Sequence, residues 1–257
     1  MEKNYYGSWF PIDISTHGYQ IDNLINIVHV LMALLFVGWG VFIFLAIFKF
    51  RKKANPAAEY KPHHHFVIPT YLEIAVAVTE IVLLAAFSIP IFYQFKKGAP
   101  AKEDALEVRV VAEQFAWNIH YPGKDKVFGK TSPKLMNAMN PLGLDPEDPA
   151  GKDDISTINQ LKIPVGKPVI AHLTSKDVIH SFALPVARIK QDTIPGQTIP
   201  VWFEAKQTGD FEIACAQLCG LGHYRMKGFF NVMEKEKFSA WFDEQLAKKT
   251  GQPAATA

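Results

Sequence analysis

The residues best suited to chemistry stand together near the end of the chain. Its two cysteines, Cys215 and Cys219, are followed by His223 and Met226, which gives the spacing C-x3-C-x3-H-x2-M after a strand-like segment. Thiolate, thioether and imidazole donors together favour copper, and a blue-copper site takes one Cys, two His and a weak Met. The pattern therefore predicts a copper site that needs one further imidazole, and His180 is the candidate.

The second cysteine decides which kind of copper site is predicted. A mononuclear site has no use for it, whereas two thiolates at this spacing can both bridge a pair of copper ions that each keep one histidine. Met226 and the backbone carbonyl of Gln217 would then fill the weak positions. Such a centre moves single electrons and offers no open position to a substrate, so we expect no catalytic residue. A structural disulfide and a zinc site are the alternatives, and Met226 argues against zinc.

The part of the chain from about residue 101 onward has the pattern of an all-β sandwich, because short alternating or β-branched runs are separated by Pro and Gly. A sandwich can bring the loop that carries His180 beside the later cysteine loop. Residues 123–154 are rich in Pro, Gly, Asp, Asn and Lys and predict a long surface excursion. The predicted strands are 106–112, 116–121, 160–164, 168–174, 199–204, 209–214 and 227–234, followed by a helix at 238–248 and a flexible tail at 249–257.

Two earlier stretches, 24–48 and 71–95, are apolar and long enough to cross a bilayer, which takes roughly 20 residues. The stretch between them carries five basic residues, and residues 1–23 carry only Lys3. By the positive-inside bias, the intervening loop at 49–70 is cytoplasmic and both termini lie outside. The first stretch is too long for a cleaved signal peptide. The basic residues of the loop are Lys49, Arg51, Lys52, Lys53 and Lys61.

The predicted fold is therefore a membrane-anchored all-β chain. It has an outer N-terminal segment at 1–23, a two-helix transmembrane hairpin within 24–98 and a β-sandwich copper domain at 101–248. A net charge of +2 over 257 residues leaves no basic stripe of the kind that nucleic acid needs. Nucleic-acid binding is accordingly excluded.

Several segments resemble subunit II of bacterial cytochrome c oxidases, the haem-copper oxygen reductases. They are the ligand loop, the stretches 177–185 and 189–196, the aromatic segment Gln114-Phe115-Ala116-Trp117 with Tyr121, and Leu72-Glu73 with Pro90 in the second apolar stretch. The resemblance implies a cupredoxin-like domain with a binuclear copper (CuA) centre. That centre would pass single electrons from a c-type cytochrome to the haem of subunit I, which reduces oxygen to water. The implied ligands are His180, Cys215, Gln217, Cys219, His223 and Met226.

The resemblance also implies surroundings for the chain. These are a bacterial inner membrane, a copper domain on the periplasmic side, a subunit I and a subunit III. Phe115, Trp117 and Tyr121 would mark where electrons enter, although Phe115 replaces the usual Trp. Gln217 replaces a Glu that helps to bind magnesium near Asp192 at the subunit interface, which puts magnesium binding in question. With no C-x-x-C-H motif, no haem c is attached, and the donor is a separate cytochrome or a docked quinol-oxidising complex.

Other polar residues give weaker predictions. Glu73 and Glu80 are seven residues apart within an apolar stretch, and carboxylates at membrane depth mark functional paths by default. The resemblance places Glu73 where protons are admitted to subunit I from the cytoplasm. Glu80 is expected to be a second site of this kind or to form a bond with a neighbouring helix. His63 to His65 are expected to be solvated interfacial residues. An acidic cluster could steer a basic cytochrome or form a solvated loop; its members are Asp145, Glu147, Asp148, Asp153 and Asp154.

Two other classes of protein share parts of this pattern. A quinol-oxidase subunit II is a structural relative that has lost the copper ligands, and the complete ligand set argues against it. A membrane-tethered copper-delivery protein would expose a single exchangeable copper ion. That alternative leaves Trp117, Asp192 and Glu73 without a role.

Overall fold

The computed structural model describes residues 10–51 and 67–250, apart from the side chain of residue 250. Two compact units are present: Tyr19–Gly98 form one, and the residues up to Gly18 together with those from Ala99 onward form the other. The predictions that concern Lys3, Lys52, Lys53, Lys61, His63 to His65 and the tail beyond residue 250 lie outside the described residues.

The first unit consists of helices that are long and apolar enough to cross a membrane. Helix α1 spans Gly18–Lys49. Helix α2 spans Ile68–Leu83 and continues through a π-helical turn, Leu84–Ser88, into α3, Ile89–Lys97. Proline has no N–H to donate, so a regular α-helical ladder cannot pass unbroken through Pro90. The π-helical turn ends two residues before Pro90.

Helix α1 begins six residues earlier than the apolar stretch indicated. The Ser15 hydroxyl accepts a hydrogen bond from the N–H of Gly18 at 2.8 Å, and the Asp13 carboxylate accepts from the Ser15 hydroxyl at 2.8 Å. Side-chain oxygens just before a helix satisfy its unpaired N–H groups. The first turns can therefore be helical although their residues are polar, which hydropathy alone does not indicate.

The second unit is a sandwich of two five-stranded sheets with the orders β3-β2-β1-β5-β8 and β4-β10-β9-β6-β7. Large aromatic side chains meet between the sheets, with Phe203 against Phe230 at 5.9 Å and Trp117 against Phe182 at 5.5 Å between ring centroids. The strands are β1 Leu106–Glu113, β2 Ala116–Tyr121, β3 Ile155–Ile158, β4 Gln160–Pro164, β5 Pro168–Ser175, β6 His180–Leu184, β7 Ile189–Thr193, β8 Ile199–Glu204, β9 Gly209–Cys215 and β10 Lys227–Met233.

All seven predicted strands are confirmed, with differences of no more than one residue at their ends, and β3, β6 and β7 were missed. Every residue of β6 is buried, so this strand lacks the alternation of polar and apolar residues that marks a half-exposed strand. Helix α4 spans Lys235–Thr250 and exceeds the predicted helix at both ends.

Residues 10–18 pack on the sandwich as part of it, which the sequence did not indicate. Ile14 and Ser15 are fully buried. The Ile14 N–H donates to the Val186 carbonyl at 2.9 Å, and Ser15 forms a β-bridge with Ala205. The Arg188 guanidinium donates to the Pro11 carbonyl at 2.7 Å. Residues 10–18 are therefore tied to the β-domain by backbone and side-chain hydrogen bonds.

The excursion at 123–154 is held down by one buried carboxylate. Asp154 is fully buried and accepts hydrogen bonds from the N–H groups of Gly123 and Gly129 and from His120 Nε2, the last at 2.6 Å. Asp148 and Asp153 accept backbone N–H groups of the same excursion. The prediction of an accessible acidic cluster is therefore wrong for Asp154. Asp148 and Asp153 accept hydrogen bonds that stabilise the backbone of the excursion itself.

The His120–Asp154 pair predicts a loss of stability in acid. Burial, opposed by Asp154, lowers the pKa of His120 below its ordinary value of 6.5. Burial would raise the pKa of the Asp154 carboxyl, but the hydrogen bond from His120 and those from Gly129 and Gly123 outweigh it and lower that pKa. As the pH falls below 6.5, His120 becomes protonated in the unfolded chain before it does in the folded protein, and this difference favours unfolding. Below about 3.8 the same holds for the Asp154 carboxyl.

We therefore expect His120→Gln to flatten the dependence of the unfolding free energy on pH as the pH falls below about 6.5, by up to about 1.4 kcal/mol per pH unit. Denaturant titrations at a series of pH values measure this slope. Ser156→Ala, an exposed change opposite His120 on β3, is the control and should keep the wild-type slope. An identical slope in His120→Gln would contradict the expectation.

Candidate metal centre

Neighbouring strands bring the predicted ligand residues together. His180 is the first residue of β6 and Cys215 the last of β9, and these strands pair with Phe182 opposite Cys215. The loop after β9 returns through a short 3-10 turn, His223–Arg225, to Met226 and β10. The N–H of Cys215 donates to the Met226 carbonyl at 3.3 Å, which closes the loop on itself.

Cys219 is the hub of the cluster. Its Sγ lies 3.8 Å from Cys215 Sγ, 3.7 Å from His223 Nδ1 and 3.7 Å from Met226 Sδ. Met226 Sδ in turn lies 3.1 Å from His180 Nδ1. These contacts connect both thiols, both imidazoles and the thioether.

The sixth predicted residue, Gln217, joins the cluster through its backbone. The carbonyl oxygen of Gln217 lies 3.2 Å from Cys215 Sγ, while the residue itself is exposed. Burial is greatest on the opposite side, where His180, Cys219 and Met226 are buried. The structure thus brings all six sequence-predicted ligand residues together.

The electrostatics of the thiols favour a bound cation. Both cysteines are free, which argues against the disulfide alternative. Burial, with the neighbouring Cys215 sulfur, raises the pKa of the Cys219 thiol to about 11. Two adjacent thiolates repel each other and are poorly solvated here, so a positive ion between them would offset both costs.

Asp177 orients the imidazole of His180. Its Oδ1 lies 2.9 Å from His180 Nε2, and an ionised carboxylate only accepts hydrogen bonds, so Nε2 carries the proton and Nδ1 is left as a lone-pair donor facing the sulfur atoms. Burial would raise the pKa of Asp177, but hydrogen bonds from His180 and from the N–H groups of Gln114 and Val178 lower it. Sequence reasoning missed this role, although the spacing D-x2-H was visible.

Gln114 and Phe115 support the ligand loop from a different strand connection. Gln114 Nε2 donates to the Cys219 carbonyl at 2.6 Å, and Gln114 N donates to Asp177 Oδ2 at 2.7 Å. The ring of Phe115 lies against Gly222 so closely that a Cβ at that position would overlap it. Glycine at 222 is therefore required by this contact.

The three aromatic residues predicted to receive electrons differ in access. Phe115 is 37% exposed, whereas Trp117 and Tyr121 are fully buried. The Trp117 ring centroid lies 6.2 Å from that of His180, and the Tyr121 hydroxyl bonds to the backbone of Lys162. Of the three, Phe115 alone can touch another protein at the surface.

The remaining predicted residues lie outside this cluster. Asp192 is exposed on β7 opposite Ser181, whose carbonyl accepts the N–H of Ala216, the residue before Gln217. Glu73 and Glu80 are exposed on α2. Two turns of helix separate the two carboxylates, so they share a helix face.

The donor set passes a chemical test for copper. The two thiols and the thioether are soft donors, the two imidazoles are intermediate, and only the carbonyl oxygen is hard. Thiolate with thioether selects copper over hard cations such as magnesium or calcium. A closed zinc site has no use for a thioether and takes four ligands. The arrangement suits a metal that exchanges electrons.

Comparison with known proteins shows the family of the chain. The family model for the periplasmic domain of cytochrome c oxidase subunit II matches residues 106–232. The alternative cytochrome c oxidase subunit 2 of Bradyrhizobium diazoefficiens is 33% identical over 241 residues, which cover 93% of this chain and 85% of the relative. This chain belongs to the cytochrome c oxidase subunit II family. Cytochrome c oxidase subunit 2 of Cereibacter sphaeroides is 29% identical over 250 residues, or 93% and 80% of the two chains.

Among solved structures, the chain is similar to the periplasmic domain of subunit II of cytochrome oxidase from Bradyrhizobium japonicum. The identity is 30% and the TM-score 0.43, covering 58% of this chain and 98% of that one. The subunit II family accounts for the order of the elements, two apolar helices followed by a cupredoxin-like sandwich. The chain is accordingly a subunit of an oxidoreductase.

Proposed function

We propose that this chain is the electron-accepting subunit of a bacterial respiratory cytochrome c oxidase. It would receive single electrons from a c-type cytochrome and deliver them to the haem of subunit I, where oxygen is reduced to water. The observation that carries the proposal is the clustering of six donors through mutual contacts around the two thiol sulfurs, which lie 3.8 Å apart. A subunit III, and a donor that is either a free cytochrome or the haem c part of a docked quinol-oxidising complex, would complete the assembly.

Different residues would have different roles at the copper centre. His180, Cys215, Cys219 and His223 would hold two copper ions, with Met226 and the Gln217 carbonyl in the weaker positions. Bound there, the copper pair supplies one-electron redox chemistry with one unpaired electron shared between two ions. Asp177 fixes the tautomer of His180, Gln114 fixes the ligand loop, and burial of Cys219 and Met226 keeps water away from the sulfur atoms.

Phe115 is our proposed contact with the electron donor. It combines partial exposure with contact to the backbone of the ligand loop at Gly222. Trp117 packs against His180, and both Trp117 and Tyr121 are fully buried. Their proposed role is therefore to support the electron path inside the domain and not to contact the donor. Gln217 and Asp192 would lie at the interface with subunit I, and the neutral Gln217 side chain argues against magnesium there.

The two long apolar helices support a proposal for the membrane arrangement. We propose that α1 and the continuous α2–α3 segment both cross the bacterial inner membrane, with the β-domain on the periplasmic side. Arg51, just after α1, contributes to the positive-inside bias of the intervening loop. Residues 10–18 bind the β-domain by hydrogen bonds, which supports placing both ends of the chain on one side.

Copper content with electron paramagnetic resonance of the purified full chain tests the proposed function. The full chain is preferable to residues 101–257 because Ile14 and Ser15 belong to the β-domain core. We expect two copper ions per chain and the many-line hyperfine pattern of one electron shared by two copper nuclei. One ion with the simpler single-copper pattern would indicate copper delivery, and an oxidised cysteine pair without copper would indicate a structural role.

Glu73 is proposed to admit protons to subunit I, with Glu80 as a second carboxylate deeper in the membrane on the same helix face. Glu73→Gln in the assembled oxidase should lower turnover and proton uptake several-fold, because an amide cannot carry the proton. Stopped-flow proton uptake and oxygen consumption measure the two rates. Glu103→Gln, the same chemical change in the β-domain unit, should leave both unchanged, and wild-type rates in Glu73→Gln would exclude the role.

A further inference from the structure

A pocket on the β-domain brings several lysines together over aromatic side chains. It lies beside the start of β1, has a volume of about 250 Å³, and includes Lys102, Lys124, Lys126 and Lys167 in its lining. Phe238 and Phe242 of α4 provide apolar surface in the same pocket. The lysines come from three separate segments of the chain, which the fold gathers at one place.

The charges in this pocket are not balanced by the protein. Lys124 Nζ pairs with Asp243 at 2.9 Å, and the pocket's carboxylate, Glu107, is held by His172 at 2.6 Å. Within residues 10–51 and 67–250, no carboxylate lies at ion-pair distance from the other three lysines. Three unpaired ammonium groups around one cavity repel each other, and an anionic ligand would relieve that repulsion. Lysine is a common phosphate-binding group.

The place of the pocket in the chain indicates where such an anion would come from. Lys102 follows the last residue of α3 by five residues, and a connection of that length reaches at most about 18 Å. At that helix end, Lys96 lies over the ring of Phe92 and Lys97 over that of Tyr93. Aromatic and basic residues at the end of a span are typical of the headgroup region. The aromatic floor also suits a ligand with an aliphatic part.

We propose that this pocket binds the phosphate group of an anionic phospholipid. Lys102, Lys126 and Lys167 would contact the phosphate oxygens, and Phe238 and Phe242 would contact the glycerol and the first methylene groups. The proposal rests on the membrane anchoring put forward above. It assigns to the β-domain a lipid contact that neither the copper cluster nor the transmembrane helices require.

Native mass spectrometry of the full chain in nonionic detergent tests the proposal, with equal amounts of phosphatidylglycerol and phosphatidylcholine added. We expect wild type to retain phosphatidylglycerol with a preference on the order of 10-fold, since each lysine near an anionic headgroup contributes a few-fold in affinity. The double variant Lys126→Gln, Lys167→Gln should lose most of this preference. The matched control Lys130→Gln, Lys152→Gln removes the same charge from exposed positions outside the pocket and should keep it.

Two results would overturn the proposal. One is a wild-type preference in the Lys126→Gln, Lys167→Gln variant, which would place the lipid elsewhere on the chain. The other is displacement of phosphatidylglycerol by inorganic phosphate at equal concentration, which would identify a site for small free anions. Copper content of the same preparations tests the proposed function separately, because none of these lysines belongs to the ligand set.

Discussion

Cys219→Ser is expected to reduce copper binding from two ions per chain to one or none and to abolish the spectrum of the shared electron. Cys219 Sγ lies within 3.8 Å of three other donors, namely Cys215 Sγ, His223 Nδ1 and Met226 Sδ. A serine hydroxyl stays protonated at neutral pH and is a hard donor, so it cannot replace a bridging thiolate. Loss of an outer-shell partner costs about 10- to 100-fold in metal affinity, and loss of this ligand should exceed that range.

Met226→Leu is the matched control within the same cluster. Leucine nearly conserves the volume of the buried methionine and removes a weak, neutral donor, while both thiols and both imidazoles stay. We expect this variant to keep two copper ions and to show a shifted absorption spectrum. Copper analysis and electron paramagnetic resonance of both variants give the comparison. Two tightly bound ions in Cys219→Ser would show that Cys219 Sγ does not bridge the two copper ions.

The ligand set could be predicted because its spacing is local. Five of the six donors lie within twelve consecutive residues, and the softness of the three sulfur atoms among them indicates the metal. His180 was harder, since its place depends on β6 lying beside β9, and β6 was not predicted as a strand. Resemblance to a known family supplied what strand periodicity could not. The bond from Asp177 to His180 needed the structure, because a D-x2-H spacing also occurs without such a contact.

The burial of individual side chains was the property predicted least well from the sequence. Phe115, Trp117 and Tyr121 belong to one aromatic segment, yet β2 turns Trp117 and Tyr121 into the interior and leaves Phe115 at the strand connection. In the sequence, Asp154 is likewise one of several acidic residues in a predicted surface excursion. Only its position beside His120 shows that it is buried. In both cases the side chain's environment is set by distant segments, and neither composition nor periodicity contains that information.

Trp117→Ala is expected to lower the unfolding free energy of the β-domain by about 3–5 kcal/mol, which is the usual cost of truncating a fully buried aromatic side chain. Trp117 has no exposed surface and packs between the sheets, 5.5 Å from Phe182 and 6.2 Å from His180 between ring centroids. Denaturant titration followed by far-ultraviolet circular dichroism measures the change. Phe229→Ala, at a position that is 52% exposed, should change stability by less than about 1 kcal/mol.

A comparison of Trp117→Ala with Phe115→Ala distinguishes an effect on packing from an effect on electron transfer. Asp177 still holds the tautomer of His180 in Trp117→Ala, so the folded variant should keep both copper ions and lose mainly stability. Phe115→Ala removes the one accessible ring of the segment and should slow reduction by the donor with a smaller effect on stability. Reduction that slows more in Trp117→Ala than in Phe115→Ala, with copper content equal, would place the electron path through the buried indole and reject Phe115 as the contact.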